Sequence, residues 1–121
     1  MRILFVENHE IFASTVCSAF LPQHEVVVVP SLVEAKGAIN AMGPSSFNAA
    51  LIDYDLDDCK GDAVVRLLRE RGFHGPIVAV SSHEIGNAKL LLSGADATCP
   101  KMKFSSIAKV LDHALAIRGK A

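Results

Sequence analysis

The stretch Phe47–Gly61, FNAALIDYDLDDCKG, sets an apolar run, Ala49–Ile52, directly before Asp53 and follows it with three more acids, Asp55, Asp57 and Asp58. The run shows no period-two alternation, which marks a strand covered on both faces, as in a parallel sheet. A carboxylate at the end of such a strand loses hydration and feels its neighbours' charge, so a cation or a reacting group is needed to offset the cost.

Working outward, the same kind of run recurs. Ile3–Val6 ends at Glu7-Asn8, Val26–Val29 is closed by Pro30, and Pro76–Val80 and the weaker Ala95–Cys99 complete the set. All are read as strands covered on both faces. Helical stripes lie between them: Phe12, Val16, Ala19 and Phe20; then Leu32, Ala35, Ile39 and Met42, with Ser31 as N-cap, Glu34 as its capping-box partner and Gly43-Pro44 as the stop. A third stripe is Val64, Leu67, Leu68 and Arg71 before Gly72, and a short fourth helix around Leu90-Leu91 ends at Gly94. A long fifth runs from Phe104 through Ile107, Ala108, Leu111, Ala114 and Leu115, with Val110 and Ile117 off its stripe. Strand and helix alternate five times, which predicts a parallel sheet with right-handed crossovers and helices on both faces.

The 121 residues, half of them hydrophobic and 21% charged, suit one globular domain. A net charge of −1 gives no basic surface for nucleic acid or membrane. Three cysteines without CxxC spacing read as reduced thiols of a cytoplasmic protein, and no apolar run reaches signal-peptide or membrane-span length.

Ligands of open parallel sheets bind at the carboxyl ends of the strands. Those ends carry Glu7-Asn8-His9, Asp53 with Asp55, Ser81-Ser82-His83, and Cys99-Pro100-Lys101. A central carboxylate with acid, amide, hydroxyl and ammonium around it suits transfer of an anionic group to that carboxylate, with Asp53 as nucleophile. Oxygens around it would hold a hard cation such as Mg²⁺, and Ser81 and Lys101 would bind the transferred group.

Four segments, ILFVENHEIF, ALIDYDLDDCKG, PIVAVSS and GADATCPK, resemble in order and spacing the receiver domain of two-component response regulators. The resemblance covers essentially the whole chain, with residues 1–118 as the receiver domain and 119–121 as a tail. It implies a flavodoxin-like doubly wound (βα)5 sandwich with a central five-stranded parallel sheet. It also implies that Asp53 accepts phosphate from a histidine kinase or phosphotransfer protein in a Mg²⁺-dependent phosphorelay. Glu7 and Asn8 fall on the family's acidic pair, the backbone carbonyl of Asp55 on a metal-ligand position, Ser81 on the hydroxyl and Lys101 on the ammonium. Such domains are not conventional enzymes, although they catalyse their own dephosphorylation. An output protein or attached output domain is implied but not named, and the face carrying the last helix, with Val110 and Ile117, is expected to serve partner or homodimer contacts. The ending without a linker points to a stand-alone chain.

Three positions depart from the family. Asn8 replaces an acid and removes one charge from the cation site, which predicts weaker metal binding. Thr98 stands where an aromatic switch residue is usual, and Met102 follows Lys101 in place of proline. These favour an alternative: a phosphorylation-independent receiver serving as a protein-interaction module. The Asp53-Tyr54-Asp55 triplet also resembles the nucleophile motif of haloacid-dehalogenase phosphatases, but that motif belongs on a first strand and continues differently. Asp57 and Asp58 read as solvated turn residues.

Overall fold

Hydrogen-bonding the apolar runs edge to edge builds the sheet. In the computed structural model, which describes residues 1–119, the strands are β1 (Arg2–Val6), β2 (Glu25–Val29), β3 (Ala49–Ile52), β4 (Ile77–Ala79) and β5 (Ala97–Thr98). All pair in parallel, in the order β2-β1-β3-β4-β5. The helices between and after them are α1 (Glu10–Phe20), α2 (Leu32–Met42), α3 (Gly61–Glu70), α4 (Glu84–Ser93) and α5 (Ile107–Gly119). This is the flavodoxin-like α/β sandwich expected from the sequence. Gly119 closes α5; the rest of the tail expected at 119–121 lies outside the described residues.

Successive strand residues point to opposite faces, so each strand feeds two cores. Ile3, Phe5, Leu51 and Val78 pack with Ala13 and Val16 of α1 and Ile107, Leu111 and Ala114 of α5. Leu4, Val6, Ala50, Ile52 and Ala79 pack with Ala35, Ile39, Val64, Val65, Leu68 and Leu90 of α2, α3 and α4. Ser31 Oγ caps α2 by accepting from Glu34 N at 3.2 Å, and Gly43, at φ +85°, stops that helix.

Several expectations change in the fold. β2 is an edge strand and is not covered on both faces: its burial is partial throughout and Val28 is 40% exposed. On α1 the buried residues are Ala13 and Val16, with Phe12 and Cys17 half-buried against the same core, while Ala19 and Phe20 are exposed. Arg71, Leu91 and Ala108 likewise face solvent, because each stripe is narrower than its periodicity suggested. Val110 is not a free surface residue, since it packs against the α1–α5 core, whereas Ile117 is exposed. Phe104 belongs to a 3₁₀ segment, Lys101–Ser106, that precedes α5. Among the described residues no helix is long and apolar enough to cross a membrane.

The end of the sheet where the strands begin is fastened by Asp96. Its Oδ2 accepts from Ile77 N at 2.8 Å and from Arg69 Nη2 at 2.9 Å, and its Oδ1 accepts from Arg118 Nε at 3.0 Å. Arg69 Nη1 also donates to the carbonyls of Phe73 and Gly75 at 2.9 and 2.8 Å, so one guanidinium joins α3, the turn after it and the α4–β5 loop. Removing the carboxylate strands a half-buried cation and a strand N–H. Asp96→Ala should therefore lower stability by about 2–3 kcal/mol, read as a shift in the urea midpoint at unchanged slope.

Candidate functional site

The ladder of the sheet continues one residue beyond two strand ends. Glu7 N donates to Val29 O at 2.9 Å and Asp53 N donates to Val6 O at 3.0 Å. Two adjacent parallel strands thereby deliver their next side chains to one place at the carboxyl edge. Both carboxylates are buried, Glu7 at 1% exposure and Asp53 at 5%. Lys101, the first residue of the 3₁₀ segment, reaches in from beyond β5, its Nζ 2.8 Å from Glu7 Oε1 and 3.3 Å from Asp53 Oδ2. Lys103, two residues further on, is exposed.

Two carboxylates and one ammonium leave the trio one negative charge in excess. Glu7 Oε2 accepts from His9 N at 3.1 Å, but no donor is aligned on the buried Oε1, whose contact with Lys101 is an ion pair by distance only. Burial first, and the charge of Glu7 second, push the Asp53 carboxyl up to about 6 in spite of Lys101. Burial works against the Lys101 ammonium, but Glu7 and Asp53 outweigh it and hold that group above the ordinary lysine value.

Two buried carboxylates side by side, with only one ammonium between them, are a donor set for a hard cation. Magnesium is satisfied by one or two carboxylates with water completing its shell. Glu7 and Asp53, both buried and both held by Lys101, supply two such carboxylates. Among the described residues no three His, Cys, Asp or Glu side chains group as metal ligands. Asn8 is exposed and its Nδ2 donates to Asp57 Oδ1 at 3.1 Å, which leaves its amide oxygen free.

Ser81 follows β4, beside the end of β3, where Val80 N donates to Ile52 O at 3.0 Å. Its Oγ accepts from His83 N at 3.1 Å. A hydroxyl that accepts one bond keeps its own hydrogen to donate. The Ser81 backbone is bracketed by buried Asn87, whose Oδ1 accepts from Ser81 N at 2.9 Å while its Nδ2 donates to Ser81 O at 3.0 Å. The sequence reading passed over Asn87; an amide three residues before Leu90, on the apolar side of α4, was the available signal.

The remaining acids are tethers. Asp58 is no idle turn residue: its two carboxylate oxygens accept from Leu32 N at 2.9 Å and Val33 N at 3.1 Å, capping α2. Those backbone bonds, Leu32 first, hold its carboxyl below the usual range. Asp57 is exposed, as read from the sequence, and also ties Asn8 to the same loop. Asp55 forms an exposed ion pair with Lys60, which rules its side chain out as a buried acid–base partner of Asp53. Gly61 explains the glycine eight residues after Asp53. A Cβ there would lie 1.9 Å from the Asp53 carbonyl oxygen, so the first turn of α3 could not press against the backbone of Asp53.

The fold is matched by solved structures. A response regulator receiver domain protein (CheY-like) from Methanospirillum hungatei superposes with TM-score 0.81 at 20% identity, covering 98% of this chain and 96% of that one. The chain has the receiver-domain fold. The BeF3-activated receiver domain of RstA from Klebsiella pneumoniae matches at TM-score 0.77 and 24% identity, over 95% of this chain and 98% of that one. A response regulator from Burkholderia pseudomallei, with a phosphorylated aspartic acid, calcium ion and citrate, matches at 0.76 and 19%, over 98% of this chain and 71% of that one. No protein-family model matches the receiver-like chain, and no curated protein matches it.

Two outcomes follow from the packing and charge of the site. Gly61→Ala should cost about 1–3 kcal/mol, read by thermal or urea unfolding, because only backbone can yield. A carboxyl whose pKa rises on folding binds its proton more tightly in the native state, so its ionisation lowers stability as pH climbs from about 4 to about 6. In chelator, Asp53→Asn should therefore stabilise the fold by about 1–2 kcal/mol at pH 7, and the gain should shrink to near zero by about pH 4.

Proposed function

We propose that this chain is a phosphoacceptor: Asp53 receives a phosphoryl group from the phosphohistidine of a kinase or phosphotransfer protein and passes the state to an output partner. One observation carries the reading. Asp53 lies buried beside Glu7 with Lys101 bridging both, an acceptor with an anion-binding cation already in place. The receiver fold and the phosphorylated and beryllofluoride-bound relatives support it.

In the transfer, an Asp53 carboxylate oxygen attacks phosphorus, and the bond from phosphorus to the donor nitrogen breaks with its electron pair left on that nitrogen. The product is an acyl phosphate. Lys101 pairs with the incoming phosphoryl oxygens, and the free Ser81 O–H donates to one of them. Glu7, Asp53 and the Asp55 carbonyl would hold a divalent cation, Mg²⁺ by choice of ligand, which when bound neutralises the charge of the transferring group. With the neutral amide of Asn8 where the family carries an acid, the site lacks one anionic ligand, and its affinity for the cation should be low.

Incubation with acetyl phosphate and Mg²⁺ should add one phosphoryl group by intact-protein mass spectrometry. The adduct should vanish in Asp53→Asn and persist in Asp55→Asn, while Lys101→Ala should slow its formation roughly 10²-fold. Asn8 favours a second reading, an interaction module that works without phosphorylation. No adduct and no beryllofluoride binding at any Mg²⁺ concentration would decide for that one.

A further inference from the structure

Lys101 has three N–H directions to satisfy, and the carboxylates use them imperfectly. The bond to Asp53 is long at 3.3 Å, and the contact with Glu7 Oε1 is misaligned. The third side of the ammonium is covered by an aromatic ring: Lys101 Nζ stands 4.9 Å from the centroid of Phe12 on α1. A cation this close to a ring, in a partly desolvated site, is attracted by the ring's quadrupole.

The ring is itself held on several sides. His9 Nδ1 caps α1 by accepting from Phe12 N at 3.1 Å, and the His9 ring meets that of Phe12 at 89° with centroids 6.5 Å apart. Phe104 meets Phe12 at 87° and 5.7 Å, and is in turn stacked on Phe5 of β1 at 5.9 Å. Phe104 is 2% exposed and Phe5 fully buried. Phe5 lies two residues before Glu7, so β1 locates the ammonium twice, through Glu7 and through the aromatic chain. The segment bearing Lys101 is a short 3₁₀ turn with a kink at Lys103 and a fully solvated Met102, so the turn offers little rigidity of its own.

We propose that Phe12 is a positioning residue for Lys101, its ring face fixing the ammonium where it serves Asp53. The geometric claim stands independently; its consequence for anion binding rests on the phosphoacceptor reading. Phe12 touches no reacting atom and acts through the lysine. Its contribution is electronic as well as steric, which separates it from ordinary packing.

Replacing Phe12 by mono-, di- and trifluorophenylalanine weakens the quadrupole at nearly constant shape. The deciding readout is the hydrogen-exchange rate of the Lys101 ammonium, measured by ¹H–¹⁵N spectroscopy on the full chain. It should rise stepwise along the series, about three- to tenfold in all, with Phe12→Tyr near the parent and Phe12→Leu beyond the trifluoro variant. Beryllofluoride affinity in Mg²⁺ should fall in parallel. A flat exchange rate along the series, with loss only in Phe12→Leu, would overturn the proposal and leave a packing role. If the parent chain binds no beryllofluoride, the phosphoacceptor reading fails, while the exchange series still decides the part played by Phe12.

Discussion

Two buried carboxylates sharing one ammonium is the constraint around which the carboxyl edge of this sheet is arranged. Glu7 and Asp53 sit at neighbouring strand ends because parallel pairing of β1 with β3 in register, Val6 against Ile52, leaves no other place for the next residues. Like charges so placed repel, and burial removes the water that would screen them. Lys101 offsets part of that cost, and the remainder appears as an Asp53 carboxyl lifted to about 6 and a Glu7 oxygen without an aligned donor. The proposed cation and phosphoryl group would offset what Lys101 leaves uncompensated.

Much of the surrounding structure keeps that edge in shape. Asp58 caps α2 and Asp57 holds Asn8, so the loop after β3 is stitched to the loops after β1 and β2. Gly61 lets α3 start against the Asp53 carbonyl, and Asn87 fixes the backbone of Ser81 from α4. On the other side of the sheet, Phe12 and Phe104 pack beneath Lys101 in the α1–α5 core. The polar and apolar supports differ in kind but converge on three side chains.

The sheet, its order of elements and the buried carboxylate at the end of β3 were legible because their signals are local. Ala49–Ile52 reads as a buried strand from composition alone, and Asp53 at its end is costly enough to need an explanation. The capping pair Ser31 and Glu34 and the stop at Gly43 are likewise local. Helix faces were read less well. Ala19, Phe20 and Leu91 keep a helical period yet face solvent, since periodicity cannot say how wide a stripe the sheet will cover. The exposure of β2 was missed because an edge strand and a central strand can share one apolar sequence, Val26–Val29 being as continuous as any.

By itself, then, the sequence determined which residues are strands and helices and which polar groups stand at the strand ends, because burial and propensity act within a few residues. Only the tertiary structure decided their partners. It brought Lys101 onto both Glu7 and Asp53, turned Asn8 toward Asp57, made Asp58 a helix cap and set the Phe12 ring beneath the ammonium. Each of those contacts joins residues from separate elements across angstrom-scale gaps. Distances of that kind are fixed by how the helices pack on the sheet and are not written in the spacing along the chain.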